Sequence, residues 1–420
     1  MFLLFLLFLP LVNAKYTPDW DSLDKRPLPS WYDDSKFGIF CHWGLYSVPA
    51  YRSEWMWWYW KGTQPDANVV NFVEKNYKPG TTYADFAKDF TAEYFDAKQF
   101  AETVKSSGAR QEKKFYGNKN ENSDILFSQQ ISYPQMIEIV TKYRPEVVWS
   151  DGEWDKPEEY WKAKEFLAWL YNSSPVKDQV VVNDRWGTGT MGKHGGFLTY
   201  SDHYDPGTLL ERKWENCMTL DKHSWGNRRD MKASEVYTAY DIIEQLARTI
   251  ACNGNLLLNV GPNMHGQIPA IFEDRLAEIG KFVNIASEAV YGTKPWIYQN
   301  DTSASNVWYT SRYQSGLSNH VKRNIQHPVF NMQLEKYTIV YAWILDTAHD
   351  TFELKSVKTT DRTTVTILGT DVVLTGFGTA ESLTIPSSKI DWKKLPRRDV
   401  IVLKIENAGS RNRNPLKSSN

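Results

Sequence analysis

Apolar runs and amphipathic segments alternate along the chain as far as about Tyr291. Val147–Trp149, Val180–Asn183 and Asn255–Pro262 are apolar and rich in valine or leucine, which predicts strands buried on both faces. Phe95–Ser106 instead carries its apolar residues at helical spacing, which predicts a helix. Strands that alternate with helices in this way predict an α/β fold, a TIM-like (β/α) barrel.

Further helices are predicted from their start signals. Pro157–Tyr171 begins with a proline and two glutamates, residues that favour the first turn of a helix. Ser234 is placed to cap a helix whose core stripe includes Ile243 and Leu246. A final barrel helix is predicted at about Ala270–Ala289.

The pattern changes after Pro295, where short strand-like segments are separated by turn residues. This change predicts a C-terminal antiparallel β-sandwich over residues 295–406, following a catalytic barrel over residues 15–294. Residues 311–336 are polar and irregular, so we expect an inserted loop there, and residues 407–420 are expected to be a disordered tail. The predicted sandwich strands are Val307–Thr310, Thr338–Ile344, Thr363–Ile367 and Val400–Ile405.

The amino-terminal run Met1–Ala14 is short, apolar and ends with a small residue, as is typical of a signal peptide. It is too short to span a bilayer, and no later apolar segment has the length of a membrane helix. Sequons at Asn172 and Asn300 fit N-glycosylation, although such triplets also arise by chance. The sequence therefore predicts a protein of the secretory pathway, either lysosomal or extracellular.

Composition narrows the function classes. The net charge of -1 gives no indication of nucleic-acid or membrane-surface binding, and a hydrophobic fraction of 41% can supply a large core. The 18 Trp and 23 Tyr suit a protein that stacks aromatic rings on sugars, although most are expected in the core. His194, His203 and His223 match no zinc spacing, and neither do the three cysteines, so no metal and no cofactor are predicted.

Two carboxylates lie beside tryptophans next to predicted strands. Asp151 ends the buried run and precedes Gly152, where the chain leaves the sheet, and parallel barrels keep their active sites at this end of their strands. Glu215 follows Trp214 just before another possible strand. Glycosidases use such a pair, one carboxyl as nucleophile or base and the other as proton donor. Helix capping by Asp151 is the alternative for an isolated Asp-Gly pair.

Several separate motifs resemble, in order, those of the α-L-fucosidase family of glycoside hydrolases, close to the animal lysosomal and secreted enzymes. The resemblance extends from about Tyr16 to about Ile405. The family signature is complete and consists of Pro206, Leu209, Lys213, Trp214, Glu215 and Cys217. The other motifs are Phe37–Gly44, Ser53–Trp55, Trp149–Gly152, Val182–Gly187 and Leu257–Pro262.

The resemblance implies retaining hydrolysis of α-L-fucosidic bonds in fucosylated glycans, without a cofactor. Asp151 matches the nucleophile, and either Glu215 or Asp202 matches the acid/base. The positions that resemble substrate contacts are His42, Glu54, Trp149, Arg185 and Trp214. A structural ion pair is the alternative for Arg185, and a packed core histidine is the alternative for His42. A homo-oligomer is left open.

One region departs from the family pattern. After Gly108, family members continue with a strand that carries a Ser-Lys-His-His-Glu-Gly-Phe motif and then a second strand, whereas residues 109–124 here are polar without a strand period. We therefore expect that roughly two β/α units of the barrel are missing near residues 109–131. The lost histidine pair would bind fucose hydroxyls, which leaves two alternatives to an active enzyme. One is an inactive fucose-binding protein, and the other is a splice form or gene-model product that does not fold.

Overall fold

The computed structural model describes residues 15–109, 114–118, 127–301, 306–315, 336–374, 378–379, 381–395, 397–408 and 415–416. The predicted signal peptide and most of the predicted tail lie outside these residues. The α-helices are α1 (Trp20–Leu23), α2 (Ser30–Ser35), α3 (Met56–Lys61), α4 (Ala67–Asn76), α5 (Ala97–Ser106), α6 (Tyr133–Tyr143), α7 (Glu158–Trp161), α8 (Ala163–Asn172), α9 (Ala239–Ala251), α10 (Ala270–Ile285) and α11 (Ser287–Val290). The β-strands are β1 (Phe37–Cys41), β2 (Lys114–Asn118), β3 (Val147–Asp151), β4 (Val181–Val182), β5 (Trp214–Thr219), β6 (Gly254–Val260), β7 (Lys294–Asn300), β8 (Val307–Ser315), β9 (Lys336–Ile344), β10 (Thr351–Leu354), β11 (Thr364–Ile367), β12 (Val373–Leu374), β13 (Leu383–Pro386) and β14 (Ile401–Glu406).

The chain divides into two compact units. The first consists of Met1–Pro29 and Lys113–Tyr200, and the second consists of Ser30–Glu112 and Ser201–Asn420. The boundary between the units falls just before β2. Helix α5 therefore belongs to the second unit, whereas β2, the next strand in the sequence, belongs to the first. Each unit contains one parallel sheet, and the second unit also contains the carboxyl-terminal strands.

The first unit is built on a three-stranded parallel sheet in the order β2-β3-β4. The central strand β3 is buried from Val147 to Ser150, as its unbroken apolar run predicts. Helix α8 covers the sheet with an apolar stripe that includes Phe166 and Leu170, which join Val148 and Val182 in one core cluster. This packing fixes the end of β3, where Asp151 lies.

The strand β2 corrects the expectation that residues 109–124 contain no strand. Its residues Lys114–Asn118 pair in parallel register with Val147–Asp151. A segment this short, flanked by polar residues, shows no period of its own, and pairing with an existing strand supplies the hydrogen bonds that the sequence pattern does not predict. The predicted strand at Val180–Asn183 is confirmed but shorter, as β4.

The second unit contains a three-stranded parallel sheet in the order β1-β6-β5. Its central strand β6 is buried at every residue, and the amphipathic helix α9 packs against it. Thr238 and Asp241 form a capping box at the start of α9, so the predicted cap at Ser234 is wrong by one turn. The helix begins at Thr238 and not at Ser234, because the side chains of Thr238 and Asp241 each accept a hydrogen bond from the other residue's backbone amide.

The carboxyl-terminal strands form an antiparallel six-stranded sheet in the order β12-β11-β14-β9-β8-β7, together with a pair, β10-β13. Their inward residues share one apolar cluster that includes Trp296, Tyr309 and Leu403, which confirms the predicted antiparallel architecture. The predicted insertion at 311–336 needs correction at both ends, because Ser315 of β8 pairs with Lys336 of β9 in a continuous ladder. Residues 316–335 lie outside the described part of the chain.

Two predicted helices are each divided in the structure. Pro157–Tyr171 becomes α7 and α8, separated at Lys162, whose φ of 55° ends the first helix in the left-handed region. Ala270–Ala289 becomes α10 and α11, with a break at Ala286. Within the described ranges, no helix combines the length and the apolar character that crossing a membrane requires.

Candidate active site

Asp151 lies at the carboxyl end of the central strand of the first unit. The four preceding residues are buried, whereas the Asp151 side chain keeps 14% of its surface exposed. Gly152 follows with a φ of 80°, a conformation that glycine adopts without steric cost, and it turns the chain out of the sheet. A rigid strand therefore presents this carboxylate at the end where parallel barrels carry out chemistry.

Arg185 contacts Asp151 from the loop after β4. Its Nη1 donates to Asp151 Oδ1 at 3.1 Å, and its Nε donates to Thr199 Oγ1 at 3.1 Å. The Trp149 ring lies under the guanidinium, with 4.7 Å from Cζ to the ring centroid. Arg185 is 5% exposed, so its charge is largely removed from water and its orientation is fixed by these contacts.

Asp184 organises the loop that carries Arg185. Its Oδ1 accepts a hydrogen bond from Thr199 Oγ1 at 2.7 Å, and its Oδ2 accepts from the amides of Gly192 (2.7 Å) and Thr199 (2.9 Å). The neighbouring Asn183 bonds the backbone of Ser150 through both ends of its amide. These bonds tie the Arg185 loop directly to β3, so the Arg185–Asp151 distance is set by buried polar contacts.

A second polar cluster lies at the carboxyl end of the sheet β1-β6-β5. His42 Nδ1 is 2.7 Å from Asn259 Oδ1, and Asn259 Nδ2 donates to the Trp225 carbonyl at 2.6 Å and to Thr219 Oγ1 at 3.1 Å. Because the amide oxygen of Asn259 accepts, His42 Nδ1 carries the hydrogen of this bond. The His42 ring is 5.3 Å from Trp225.

Glu54 anchors the loop that carries Trp225. Its Oε2 accepts hydrogen bonds from Ser224 Oγ (3.1 Å) and from the backbone amides of Trp225 (2.9 Å) and Gly226 (3.1 Å). An ionised carboxylate that receives two backbone amides and a hydroxyl holds a loop firmly. The predicted sugar-contacting residues His42 and Glu54 are thus brought together through Trp225 and Asn259.

Asp202 lies on an exposed loop between two residues with unusual backbone conformation. Tyr200 has a φ of 57° and His203 a φ of 55°, values that non-glycine residues rarely adopt. The His203 amide donates to the Cys217 carbonyl of β5 at 2.8 Å, and the His203 ring is 5.2 Å from Trp225. Asp202 therefore lies on the same side of the second unit as His42, Asn259 and Trp225, which we call the Trp225 cluster.

Glu215 lies at the opposite, amino-terminal end of its strand. It is the second residue of β5, pairs with Asn255 at the start of β6, and is fully buried. Tyr32 donates its hydroxyl to Glu215 Oε2 at 2.8 Å, and the Cys217 thiol lies 3.6 Å from Oε1. These contacts join helix α2 to strand β5, so Glu215 is placed as part of the packed interior.

The other signature residues lie at the same end of the sheet. Trp214 is fully buried and donates its indole N–H to the Cys252 carbonyl at 2.8 Å, so its contacts in this structure are with protein groups, and its contact with a sugar stays a prediction. Lys213 donates to Asp33 Oδ1 at 2.6 Å. Burial lowers the pKa of Lys213, and Asp33 partly offsets that effect.

Asp33 is the centre of a cluster of lysines. Lys36, which is fully buried, lies 2.8 Å from Asp33 Oδ1, and Lys294 also pairs with this carboxylate. Burial by itself would raise the pKa of Asp33, but Lys213, Lys36 and Lys294 together hold it below its usual value. Pro206 and Leu209 are half-buried in the loop that leads to β5. The signature residues Lys213, Trp214 and Glu215 therefore all bond to neighbouring protein groups in this structure.

The predicted glycosylation sites differ in their surroundings. Asn172 Nδ2 donates to the carbonyls of Tyr16 (2.7 Å) and Ala168 (2.8 Å), so a glycan on this nitrogen would have to replace one of those bonds. Asn300 is exposed at the end of β7, although Thr302 of its sequon lies outside the described residues.

The histidines considered for a metal have other contacts. His194 bonds Asp24 at 2.7 Å and stacks on Trp20, and His223 lies 3.9 Å from Glu235. In the part of the chain that the structure describes, no group of three or more His, Cys, Asp or Glu side chains is arranged to hold a metal ion.

Sequence reasoning did not single out Trp225 and Asn259, which contact the predicted site residues Glu54 and His42. Asn259 had a usable signal, because a single amide interrupts the apolar run of β6 near its carboxyl end. A buried amide in that position needs partners, and here they are His42, Trp225 and Thr219. Trp225 had no comparable signal in its own segment. The contact that singles it out is the bond from its backbone amide to Glu54, which lies 171 residues earlier in the sequence.

Known proteins resemble this chain over most of its length. The family model described as alpha-L-fucosidase matches residues 9–111 and 110–288. A Caenorhabditis elegans protein named putative alpha-L-fucosidase is 70% identical over 478 residues, covering 100% of this chain and 99% of the relative. The tissue alpha-L-fucosidase of Rattus norvegicus is 39% identical and covers 84% of each chain.

Solved structures agree with this similarity. The crystal structure of Thermotoga maritima alpha-fucosidase in complex with fucose has a TM-score of 0.68 at 22% identity, covering 93% of this chain and 100% of the other. At this identity the likeness shows the fold, which is a TIM-like β/α barrel followed by a C-terminal β-sandwich. The fold class predicted from the sequence is thereby confirmed.

Two features of the sequence matches concern the length of this chain, and one of them falls in the region that departs from the family pattern. The family match divides into two segments that meet at residues 110–111. The alignment with the Caenorhabditis elegans relative extends over 478 positions although this chain has 420 residues, so the relative contains residues that have no counterpart here.

Proposed function

Because this chain belongs to the α-L-fucosidase family of glycoside hydrolases, we propose that it cleaves α-L-fucosidic bonds with retention of configuration and uses Asp151 as its nucleophile. Family membership makes the chain a glycosidase that releases fucose from fucosylated glycans. The observation that supports the retaining mechanism is the placement of Asp151, a partly exposed carboxylate at the carboxyl end of a buried strand.

In the proposed first step, an Asp151 oxygen attacks the anomeric carbon of fucose while the bond to the aglycone oxygen breaks. The Arg185 contact at 3.1 Å fixes the orientation of the carboxylate, and Trp149 and Thr199 in turn fix Arg185. Holding a nucleophile in one orientation lowers the entropy cost of attack. In the second step, water cleaves the glycosyl-enzyme and releases fucose with its original configuration.

We propose Asp202 as the acid/base in preference to Glu215. Asp202 is exposed on a loop whose neighbour His203 contacts Trp225, on the side of the second unit that also carries His42. Glu215 is fully buried at the amino-terminal end of β5, and Tyr32 occupies one of its oxygens. A general acid must reach the leaving oxygen within hydrogen-bond distance, and a carboxyl without exposed surface is poorly placed for this.

The proposed substrate contacts divide into direct and supporting residues. His42 is half-exposed and is proposed to hydrogen-bond a sugar hydroxyl, with its Nδ1 held by Asn259. Glu54 is proposed to act partly by holding the Trp225 loop, in addition to any contact with the sugar. Trp149 is 4% exposed beneath Arg185, so its proposed role is to support the guanidinium.

We also propose that roughly two β/α units are absent near residues 109–131 and that the protein passes through the secretory pathway. The break in the family match at residues 110–111 supports the first point, and the Caenorhabditis elegans alignment shows that one relative has residues without a counterpart in this chain. Relatives named as plasma and tissue enzymes support the second. The inactive fucose-binding protein and the unstable product stay as alternatives that the same assay addresses.

The test is turnover of an aryl α-L-fucoside by the chain from Lys15 onward, beside Asp151→Ala and a version with the missing segment restored. We expect the chain to release the aryl alcohol, Asp151→Ala to lose at least about 10⁴-fold in kcat, as nucleophile deletions do, and NMR to show α-L-fucose as the first product. Azide should partly rescue Asp151→Ala by attacking from the vacated side and giving a fucosyl azide of inverted configuration.

The contrary results are equally specific. Near-normal turnover by a folded Asp151→Ala variant would remove Asp151 as the nucleophile. Turnover by the restored version alone would keep the family mechanism but assign this form to the inactive alternative. Fucose binding by this form without any turnover would favour the fucose-binding protein, and a chain that fails to unfold cooperatively would favour the unstable product.

A further inference from the structure

Helix α3 of the second unit has two different faces. Met56 and Trp60 are buried, with 0% and 6% of their surface exposed, and they pack in a local apolar cluster. Trp57 and Trp58 are 48% and 46% exposed, and the preceding Trp55 is 44% exposed. Large aromatic surfaces of this size are seldom left in water without a binding role, and here they occur close together.

The exposed ring of Trp57 is held in place. It stacks on Tyr83, with 5.1 Å between the ring centroids and 14° between the planes. Burial raises the pKa of the Tyr83 hydroxyl to about 12, an effect that the nearby backbone of Tyr46 partly offsets, and a capping box of Thr82 and Asp85 fixes the turn that begins at Tyr83. A ring that is already oriented loses little conformational entropy on binding.

Trp58 is also closely packed, because its indole lies against the backbone at Gly62. An added Cβ at Gly62 would lie 2.8 Å from Trp58 Cδ2, so the indole lies directly over this glycine. A larger residue at position 62 would displace the ring. We call Trp57, Trp58 and Tyr83 the aromatic platform.

The aromatic platform adjoins the Trp225 cluster through Tyr46. The ring of Tyr46 packs against Gly226, where an added Cβ would lie 2.6 Å from Cε2. Gly226 follows Trp225 and donates its amide to Glu54, the residue that precedes the tryptophan-rich segment in sequence. Tyr46 therefore lies between Gly226 of the Trp225 loop and Tyr83 of the aromatic platform.

We propose that the aromatic platform is a binding subsite for the aglycone sugars of the substrate, and this inference rests on the proposed function. Indole faces stack on the C–H faces of pyranose rings, and the platform has two half-exposed indoles without a charged group among its three residues. A fucosidase substrate consists of a terminal fucose joined to further sugars, so a second subsite next to the fucose pocket has a defined occupant. The platform would thus select long glycans over simple fucosides.

The test compares two substrates that differ only beyond the fucose. α-L-Fucosyl fluoride has no aglycone ring, whereas a fucosylated oligosaccharide with at least two further sugars extends to the platform. We expect Trp57→Ala and Trp58→Ala each to lower kcat/KM for the oligosaccharide about tenfold, as loss of a well-packed aromatic contact does, and to leave fluoride release within about twofold of the parent.

Two variants control for the nature of the change. Trp57→Phe retains a ring and should recover most of the oligosaccharide activity. Tyr143→Ala removes an aromatic side chain that is 51% exposed on α6 in the other unit, and it should change neither rate. Equal losses on both substrates, or an unchanged oligosaccharide rate in both tryptophan variants, would overturn the proposal. So would a shift in sedimentation coefficient on Trp57→Ala with both rates unchanged, because the platform would then be a protein contact.

A binding measurement separates this proposal from the proposed function. The defucosylated oligosaccharide is titrated into the parent protein and into Trp57→Ala by calorimetry. Binding to the parent that weakens about tenfold in Trp57→Ala supports the aromatic platform even if neither substrate is hydrolysed, in which case only the catalytic proposal fails. Equal affinities in the two proteins overturn the platform whatever the activity.

Discussion

The two ends of the parallel sheet β1-β6-β5 are built from different kinds of contact. At the amino-terminal end, Trp214 and Glu215 are fully buried, and Tyr32 and Asp33 of α2 bond to Glu215 and Lys213. At the carboxyl end, half-exposed His42, the Trp225 ring and the exposed Asp202 loop lie near one another. The same sheet thus has one end that is packed and one that is open.

This difference supports the proposal that Glu215 of the family signature is a structural residue and not the acid/base. Lys213 and Glu215 bond to Asp33 and Tyr32 of the adjacent helix, and the loss of either would leave buried polar atoms without partners. The carboxyl-end residues are instead oriented by Glu54 and Asn259 while keeping exposed surface. In parallel barrels, chemistry belongs to the carboxyl end and stability to the amino-terminal end.

The largest expected effect that tests this division comes from Asp202→Asn. Loss of a general acid/base costs roughly 10²–10⁴ in rate, and the loss should be smaller for fluoride, a leaving group that needs no proton, than for a sugar alcohol. The measurement is kcat on α-L-fucosyl fluoride and on a fucosylated disaccharide. Thermal unfolding should be unchanged within about 1 °C, because the replaced side chain is exposed.

The control for this prediction is Ser201→Ala, an exposed neighbour on the same loop, which should keep both rates. An Asp202→Asn variant that hydrolyses the disaccharide at the parent rate would contradict the assignment of the acid/base to the carboxyl end of the sheet. The acid/base would then have to be sought at Glu215, in spite of its burial.

A matched pair of substitutions makes the comparison sharper. Glu54→Gln and Glu215→Gln each replace a carboxyl oxygen by an amide nitrogen while preserving shape, the first at the carboxyl end and the second at the amino-terminal end. Weaker bonds to the Trp225 and Gly226 amides should lower kcat/KM about tenfold in Glu54→Gln. Weaker bonding to Tyr32 inside the core should lower the free energy of unfolding by about 2 kcal/mol in Glu215→Gln.

Fucosidase kinetics and urea unfolding on the same two preparations decide the outcome. The division holds if activity falls mainly in Glu54→Gln and stability falls mainly in Glu215→Gln. The reverse assignment, a folded Glu215→Gln variant with full stability and little activity, would show that the packed end takes part in the chemistry.

How far the sequence predicts this molecule depends on the range of the contacts involved. The buried strand that ends at Asp151 was predictable, because an apolar run followed by Asp-Gly is a local pattern. The strand β2 was not, since its backbone pairs with residues more than 30 positions away and its own segment is short. Strands that form through such pairing leave little periodicity in the sequence.

The site shows the same dependence on range. Asp151 and Arg185 were identified from their motifs, and the structure joins them at 3.1 Å. The motif around Glu215 has the same appearance, a carboxylate beside a tryptophan, but only the strand register shows that it lies at the amino-terminal end. Local composition identifies a strand and a carboxylate, whereas the direction of the strand in the sheet decides what that carboxylate can reach.

The smallest expected effect concerns how the stabilisation by Asp33, at the packed amino-terminal end of the sheet, depends on pH. The pKa of Asp33 is lowered in the folded protein, because the charges of Lys213, Lys36 and Lys294 outweigh the effect of burial. As pH falls, Asp33 is therefore protonated in the unfolded chain before it is protonated in the folded protein. The stabilisation is therefore complete above the unfolded pKa of about 4 and decreases as pH falls further. Asp33→Asn should lower the Tm by a few degrees at pH 7, and the difference should narrow below about pH 4.

The matched control is Asp34→Asn, because the Asp34 side chain is 48% exposed and contacts Lys294 at 2.9 Å. It should change the Tm less at every pH, since a half-exposed ion pair is screened by water. Activity at 25 °C should be unchanged in both variants, because neither aspartate lies at the carboxyl end. A constant Tm difference between the parent and Asp33→Asn from pH 7 to pH 3 would mean that Asp33 stabilises the fold through packing. That result would contradict stabilisation by its ion pairs with the lysines.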